Sequence, residues 1–341
     1  MVRILMVVLV VALLLAIAGS AYTATDSQPT FKFSGYAQLR YSGAEREVPD
    51  AFAVRSIRPT FSGELGTPLP ASYMLQLEAA GSSGSHPKVT DAFMDLRPEG
   101  WKLRAGQFKI PFGYDNPLST PKRLEPEPAL VIDTLFPGLR DQGLSASFPL
   151  GPTSGAQLIV GIVNGQGINS ADSNDHKDLF LRLESSKYKL HGGISAYSGK
   201  YFDSTIPGDV DKNRYGLDVQ WTGNQVQILG EYVAGEGWHG PPGVQGYASA
   251  GFYDQEFSGG YLSVYYQRPG SPHIGYLRYD VFDPDRNAGG DIVKTTTIGY
   301  AREIKGLNRV SIAYESRDDA AGGTQNWIVA QLQTTWSWSP Q

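Results

Sequence analysis

From Phe31 onward the chain alternates apolar and polar positions with period two, in segments of about ten residues separated by turn-forming residues. The stretch FKFSGYAQLRY puts Phe31, Phe33, Ala37 and Leu39 on one face and Lys32, Ser34, Gln38 and Arg40 on the other. In ASYMLQLEA, Tyr73, Leu75 and Leu77 oppose Gln76 and Glu78. Farther on, Leu179, Leu181 and Leu183 oppose Arg182 and Glu184, and Tyr215, Leu217, Val219 and Trp221 oppose Asp218 and Gln220. Val310, Ile312 and Tyr314 oppose Ser311 and Glu315. About sixteen such segments are present, the last being NWIVAQLQTTWSW. Parity is ambiguous at Arg55 to Pro59 and at Thr295 to Arg302.

The connections alternate as well, short with long. Tight turns fall at GTPLP, RPEG, PLGPTSG, SSKY, TGN, RPGSP and IKGLN. Between them lie longer polar links: Ser42 to Ala51, Gly81 to Lys88, Ile110 to Asp141, Asn164 to Asp175, Gly199 to Lys212, Gly235 to Ser258, Asp283 to Asp291 and Arg317 to Gln325. This asymmetry is that of transmembrane barrels, with short periplasmic turns and longer external loops. The chain allows roughly twenty residues per strand and connection, enough for a tilted spanning strand of about 9 to 11 residues. The expectation is therefore all-β: a transmembrane antiparallel β-barrel of about sixteen strands. A soluble sandwich would also alternate, but at this length it needs two cores or a repeated unit, and no fixed-period repeat is present. Aromatic residues at strand ends, among them Tyr41, Trp101, Trp221, Tyr232, Tyr300, Trp336 and Trp338, suit the interfacial girdles of a barrel.

Composition narrows this further. Forty glycines and nineteen tyrosines against four methionines and no cysteine give a β-rich balance without a disulfide framework, thiolate metal site or cysteine nucleophile. The net charge of −5 is dispersed, so no basic stripe points to nucleic acid. The opening MVRILMVVLVVALLLAIAGSAYTATDS has the layout of a secretory signal peptide, residues 1–24, cleaved after Ala21 or Ala24. Its apolar run is shorter than the ~20 residues that span a bilayer as a helix. Residues 25–341 are then a single barrel domain in the outer membrane of a diderm bacterium.

In a barrel the outward face meets lipid and the inward face is free to be charged. WKLRAGQFKIPFG carries Lys102 and Arg104 into Ile110 to Asp141, the longest link, which becomes the candidate to fold back and narrow the lumen. The segment DAFMDLRPEGWKLRAGQFKIPFGYDNPLSTPKRL, Asp91 to Leu124, resembles the signature region of the phosphate-selective porin O/P family, and GLSASFPL and GIVNGQG are similar to the next segments of that family. The resemblance implies a sixteen-stranded outer-membrane channel whose third external loop constricts the lumen, and it alone implies a homotrimer. Members selective for phosphate present a ladder of inward arginines and clustered loop lysines. Here the inward face is mixed: Arg40, Arg58, Lys102, Arg104, Arg182 and Arg278 are offset by Glu78, Asp91, Asp95, Asp178, Glu184, Asp218, Glu231 and Asp280. The loop is mixed too, with Lys109, Lys122, Arg123 and Arg140 beside Asp115, Glu125, Glu127, Asp133 and Asp141. Selectivity by charge needs a ring of one sign, so phosphate specificity is not carried over. The end also departs from barrel habit, since Trp338 is followed by Ser339, Pro340 and Gln341.

Other chemistry is sparse. GEGWHG satisfies G-x-G-x-x-G but leads into PPGVQGY instead of a helix. Asp209, Asp211 and Asn213, and likewise Asp283, Asp285 and Asn287, have calcium-loop spacing without the glycine and glutamate that complete such a loop. His86, His176, His191, His239 and His273 show no zinc spacing, and His191 and Ser195 lie ~13 Å apart along one strand, too far for a catalytic pair. No cofactor and no metal is expected. The reading is a passive channel for small hydrophilic solutes or ions, with outer-membrane lipid around it. Its pore-lining candidates are Arg40, Arg58, Glu78, Asp91, Asp95, Lys102, Arg104, Lys109, Lys122 and Arg123. Of these, Lys102, Arg104, Lys109, Lys122 and Arg123 form an expected anion-attracting patch opposed by Glu78, Asp91 and Asp95. The alternatives are a non-conducting barrel or a barrel-type hydrolase.

Overall fold

The structure, a computed structural model, describes residues 28–44, 50–66, 70–80, 87–98, 100–136, 138–151, 154–172, 174–201, 210–238, 253–305, 308–319 and 323–340. The signal-peptide reading, His86, Asp209 and His239 therefore lie outside the described residues. The strands are β1 (Lys32–Ala44), β2 (Ala51–Glu64), β3 (Ala71–Glu78), β4 (Lys88–Leu96), β5 (Lys102–Lys109), β6 (Arg140–Pro149), β7 (Ala156–Val163) and β8 (Asp178–Lys187). They continue as β9 (Leu190–Tyr201), β10 (Val210–Thr222), β11 (Val226–Trp238), β12 (Tyr253–Gln267), β13 (His273–Asp283), β14 (Val293–Lys305), β15 (Asn308–Asp319) and β16 (Gly323–Trp338). Each pairs antiparallel with its sequence neighbours, and β1 pairs with β16 from Phe33↔Trp338 to Ala44↔Trp327, closing the barrel. Closure removes the free edge, which is what allows a sheet to satisfy its backbone without water.

The alternation read from the sequence sorts the two faces. Leu179, Leu181 and Leu183 on β8, Leu217 and Val219 on β10, and Val310 and Ile312 on β15 are all exposed on the outer wall. Their polar alternates, Arg182, Asp218 and Ser311, are buried inside. The ambiguous stretch at Arg55 has a structural cause. Gln38 pairs with Ser56 but Leu39 pairs with Val54, so Arg55 is the extra residue of a β-bulge. Period two fails there because a bulge inserts a residue without a partner.

Several strands run farther than their apolar segments. β12 begins at Tyr253 and β16 at Gly323, inside the links read as Gly235 to Ser258 and Arg317 to Gln325. Backbone pairing continues past the segments whose alternation marks them as strands. Short connections such as Tyr188 and Lys189 occupy one end of the barrel, and the long ones the other. The third long connection, residues 110–139, follows β5, a strand of the low part of the wall: β3 and β5 have 8 residues each, against 16 in β16.

Candidate functional site at the lumen constriction

The segment that leaves β5 folds on itself before it meets the far wall. The Lys109 amine donates to the carbonyls of Asn116 (3.2 Å) and Leu118 (2.5 Å), and the Asn116 amide donates back to the Ile110 carbonyl (2.7 Å). Gly113 sits at φ +64, a left-handed conformation that glycine tolerates, and a Cβ there would lie 1.6 Å from a Glu231 carboxylate oxygen. Asp115 is the hub. Its Oδ1 accepts from Arg123 Nε (3.0 Å) and Nη2 (2.6 Å), and its Oδ2 accepts from the Ala129 N–H (2.7 Å). The short helix α1 (Leu130–Leu135) has no capping side chain of its own at Ala129. Asp115 and Asp280, which accepts from the Leu130 N–H at 3.0 Å, satisfy its first donors instead.

The partners of this segment surround the barrel. Gly113 N–H donates to Ser195 on β9, and Asp115 N–H to Glu231 on β11. Ser263 and Tyr265 on β12 donate to Glu125, and Arg278 on β13 donates to the Glu127 carbonyl. Arg309 on β15 donates to the Arg123 carbonyl, Gln333 on β16 to the Pro121 carbonyl, and Arg40 on β1 to the Pro126 carbonyl. A single segment reaches strands on all sides only by lying in the lumen.

The lumen at this level has two unlike halves. Along β8 to β13 it is dry: Phe112, Val131, Ile132, Leu135 and Phe136 of the loop pack among Phe180, Tyr197, Val233, Phe257, Tyr261 and Phe282 of the wall. Lumen-facing glycines make room, since a Cβ at Gly216 would lie 2.9 Å from the Phe112 ring and one at Gly259 would lie 2.9 Å from Val131 and Phe282 atoms. The charged inner face read from the sequence lines the other half. There a cleft of about 280 Å³ remains between the loop and the β1–β2 wall, lined among others by Arg55, Arg58, Arg123, Glu127, Asp133 and Arg140.

Of the sequence-derived candidates, Arg58 and Arg123 line this cleft, and most of the others are held in ion pairs. Arg40 bonds Gln331 and forms an ion pair with Glu127. Arg58 pairs with Glu78 at 2.7 Å, and Glu78 also accepts from Ser56 and the Ile57 N–H. Asp91 pairs with Arg140 at 2.7 Å. Asp95 takes a fork from Arg104, at 2.7 and 2.8 Å, while that guanidinium lies 3.7 Å over the Phe93 ring. Lys102 is half-buried on β5. The five cations expected as one patch are not gathered on one surface. Lys109 is committed to loop carbonyls, Arg123 is buried against Asp115 and Arg104 is bound to Asp95, while Lys122 is exposed on the short turn Thr120–Lys122.

Electrostatics of the loop follow from these pairs. Burial would raise the Glu127 carboxyl, but the Arg55 and Arg40 guanidinium groups bring it down to about 2, so it stays charged. Asp115 is also held below the usual carboxylate range, burial being outweighed by Arg123 and the Ala129 N–H. Asp133 behaves oppositely. Desolvation, then the charge of Glu127, raises it against the weaker pull of Arg55 and Arg123, although it faces the open cleft.

Arg55 escaped the sequence reading because the bulge hides its parity, and Glu127 because only folding shows which cations a loop acid meets. The role of Ser195 is settled differently: its hydroxyl oxygen accepts from Gly113 N–H (3.1 Å) and Arg182 (3.0 Å), a joint between loop and wall. Among the described residues no cluster of acids or histidines has metal-holding geometry. Asp285 instead accepts from the Asn287 N–H in a local turn.

Comparison with known proteins agrees with this architecture. The family model for phosphate-selective porins O and P matches residues 32–220. No curated protein matches by sequence. Among solved structures, an anion-selective porin from Comamonas acidovorans superposes with a TM-score of 0.69 at 13% identity, covering 91% of this chain and all of that one. The outer membrane channel DcaP of Acinetobacter baumannii gives 0.66 at 12% identity over 93% of this chain and 100% of its own. OmpT of Vibrio cholerae, in a trimer form, gives 0.67 at 10% identity over 91% and 100%. At these identities the likeness is one of fold.

Proposed function

Because the chain belongs to the phosphate-selective porin O and P family, we propose that it is an outer-membrane porin through which small hydrophilic solutes diffuse along the β1–β2 side of a lumen half filled by its third long loop. The observation that carries this reading is the split lumen: an apolar seat fixes the loop on one side, and the charged cleft of about 280 Å³ is left on the other. Rings of one sign are what make a pore strongly ion-selective. Here Arg58, Arg104 and Arg140 each face a carboxylate partner, so the channel has weak charge preference and no phosphate selectivity. Arg40 and Arg55 share one carboxylate, with Asp133 in the same cleft, so what preference remains is a slight one for anions. The pore-lining set is Arg40, Arg58, Glu78, Asp91, Asp95, Lys102, Arg104, Lys122 and Arg123, of which Arg123 also fastens the loop, while Lys109 shapes the loop from within. Residues 1–24 direct export, the long connections face outward, and three copies assemble, as in the trimer form of the Vibrio protein.

The test is single-channel conductance of refolded protein in planar bilayers, with sugar uptake by liposomes as a second readout. Stepwise conductance and uptake of small sugars are expected. Silence in both assays sinks the reading and leaves a plugged barrel.

A further inference from the structure

The bulge residue Arg55 does something that regular pairing would not allow. Ser56 and Gln38 point into the lumen and Val54 and Leu39 point out, so the unpaired residue between them is free to be re-aimed. Its guanidinium reaches the loop, donating through Nη2 to Glu127 Oε2 at 2.8 Å and through Nε to Oε1 at 3.3 Å. Arg40 approaches the same carboxylate from β1. It is held in place by Gln331, whose Oε1 accepts from Nε (3.2 Å) and Nη2 (3.0 Å), and by the Pro126 carbonyl at 2.7 Å. Two guanidinium groups from adjacent strands thus clasp one carboxylate. That carboxylate still meets water, with 38% of the side chain exposed, and Arg55 is 42% exposed.

Planar guanidinium forks match planar carboxylates, and a pair of them leaves one positive charge over after a single carboxylate binds. The occupant here is borrowed from the loop. We propose that Arg40 and Arg55 form a carboxylate-binding site in the constriction, with Gln331 positioning Arg40, and that Glu127 fills it in place of a permeating carboxylate anion. This rests on the reading of the protein as a porin and deepens it: the solutes that compete for the site are small monocarboxylates. A second negative charge on the solute would face Asp133, which lines the same cleft. A tethered carboxylate competes at a high effective concentration, so the site is mostly self-occupied in the native channel.

The experiment compares the native protein with Glu127→Gln and with Glu127→Gln/Arg55→Gln in planar bilayers. It records the reversal potential in a potassium chloride gradient and the fall in chloride current as potassium acetate or potassium phosphate is added. Glu127→Gln is expected to move the reversal potential toward chloride and to let acetate reduce the current at about a tenfold lower concentration than in the native channel. The double variant is expected to lose both effects. A conducting native channel with Glu127→Gln unchanged in both readouts overturns the proposal alone, whereas absent native conductance overturns the porin reading beneath it. Stronger block by phosphate than by acetate overturns the assignment to carboxylates. If Glu127→Gln does not refold, Arg55→Gln carries the test: it is expected to shift the potential toward potassium, and an unmoved potential rejects the site.

Discussion

Replacing Asp115 with alanine tests how the constriction is held. The substitution removes both acceptors of a buried pair: Arg123 (5% exposed side chain) loses its counter-charge, and the Ala129 N–H loses its acceptor. Breaking a buried pair by deleting one partner costs about 3–5 kcal/mol, and a stranded backbone donor about 1–3 kcal/mol more. The apolar seat resists at least as strongly. Phe112, Val131, Ile132 and Leu135 are each at most 1% exposed, and burying such a side chain is worth about 1.5–3 kcal/mol. The loop should therefore stay seated at α1 while the limb from Asp115 to Ala129, which carries Glu127, comes loose. A penalty of about 4 kcal/mol changes the ratio of fastened to loose limb by roughly a thousandfold at 1.4 kcal/mol per decade. Single-channel recording should show a larger conductance and greater open-channel noise than in the native protein. Asp115→Asn keeps an acceptor and should lie between. Native conductance and noise in Asp115→Ala would refute the hub role. Asp115 is held below its ordinary range, so its contribution is full at neutral pH and is lost only as pH falls through that lowered value.

Asp133 titrates the other way: its raised carboxyl takes up a proton before ordinary carboxylates as pH falls, removing a negative charge from the cleft. Reversal potentials should move toward anions as the solution is acidified from neutral, and Asp133→Asn should reduce that shift. Gly216→Val places side-chain atoms where the Phe112 ring packs; it should unseat the loop and raise conductance, while Gly275→Val, where a Cβ meets nothing within 4 Å, should leave conductance native. Leu217 is 52% exposed on the outer wall. Leu217→Arg should destabilise the barrel by about 2–4 kcal/mol in urea titrations of lipid-refolded protein, and an unchanged midpoint would contradict its contact with lipid.

The period-two rhythm, the alternation of short and long links and the resemblance of Asp91 to Leu124 to a porin signature were all legible in the chain, because each is local. A side chain's face follows from its parity, and parity needs no knowledge of distant residues. That was enough for a sixteen-stranded barrel. It was not enough for the constriction. Arg104 and Asp95 meet across one hairpin, but Glu127 meets Arg40 and Arg55 across more than seventy residues of chain. Whether a loop acid is free, or spends its charge on a wall arginine, depends on where the closed barrel brings the wall. The sequence by itself determined, outside the bulge, which side chains face outward and which face inward. Only the tertiary structure decided which inward charges neutralise one another, which half of the lumen is dry, and that one bulged arginine turns toward the loop, because barrel closure and loop packing set those distances.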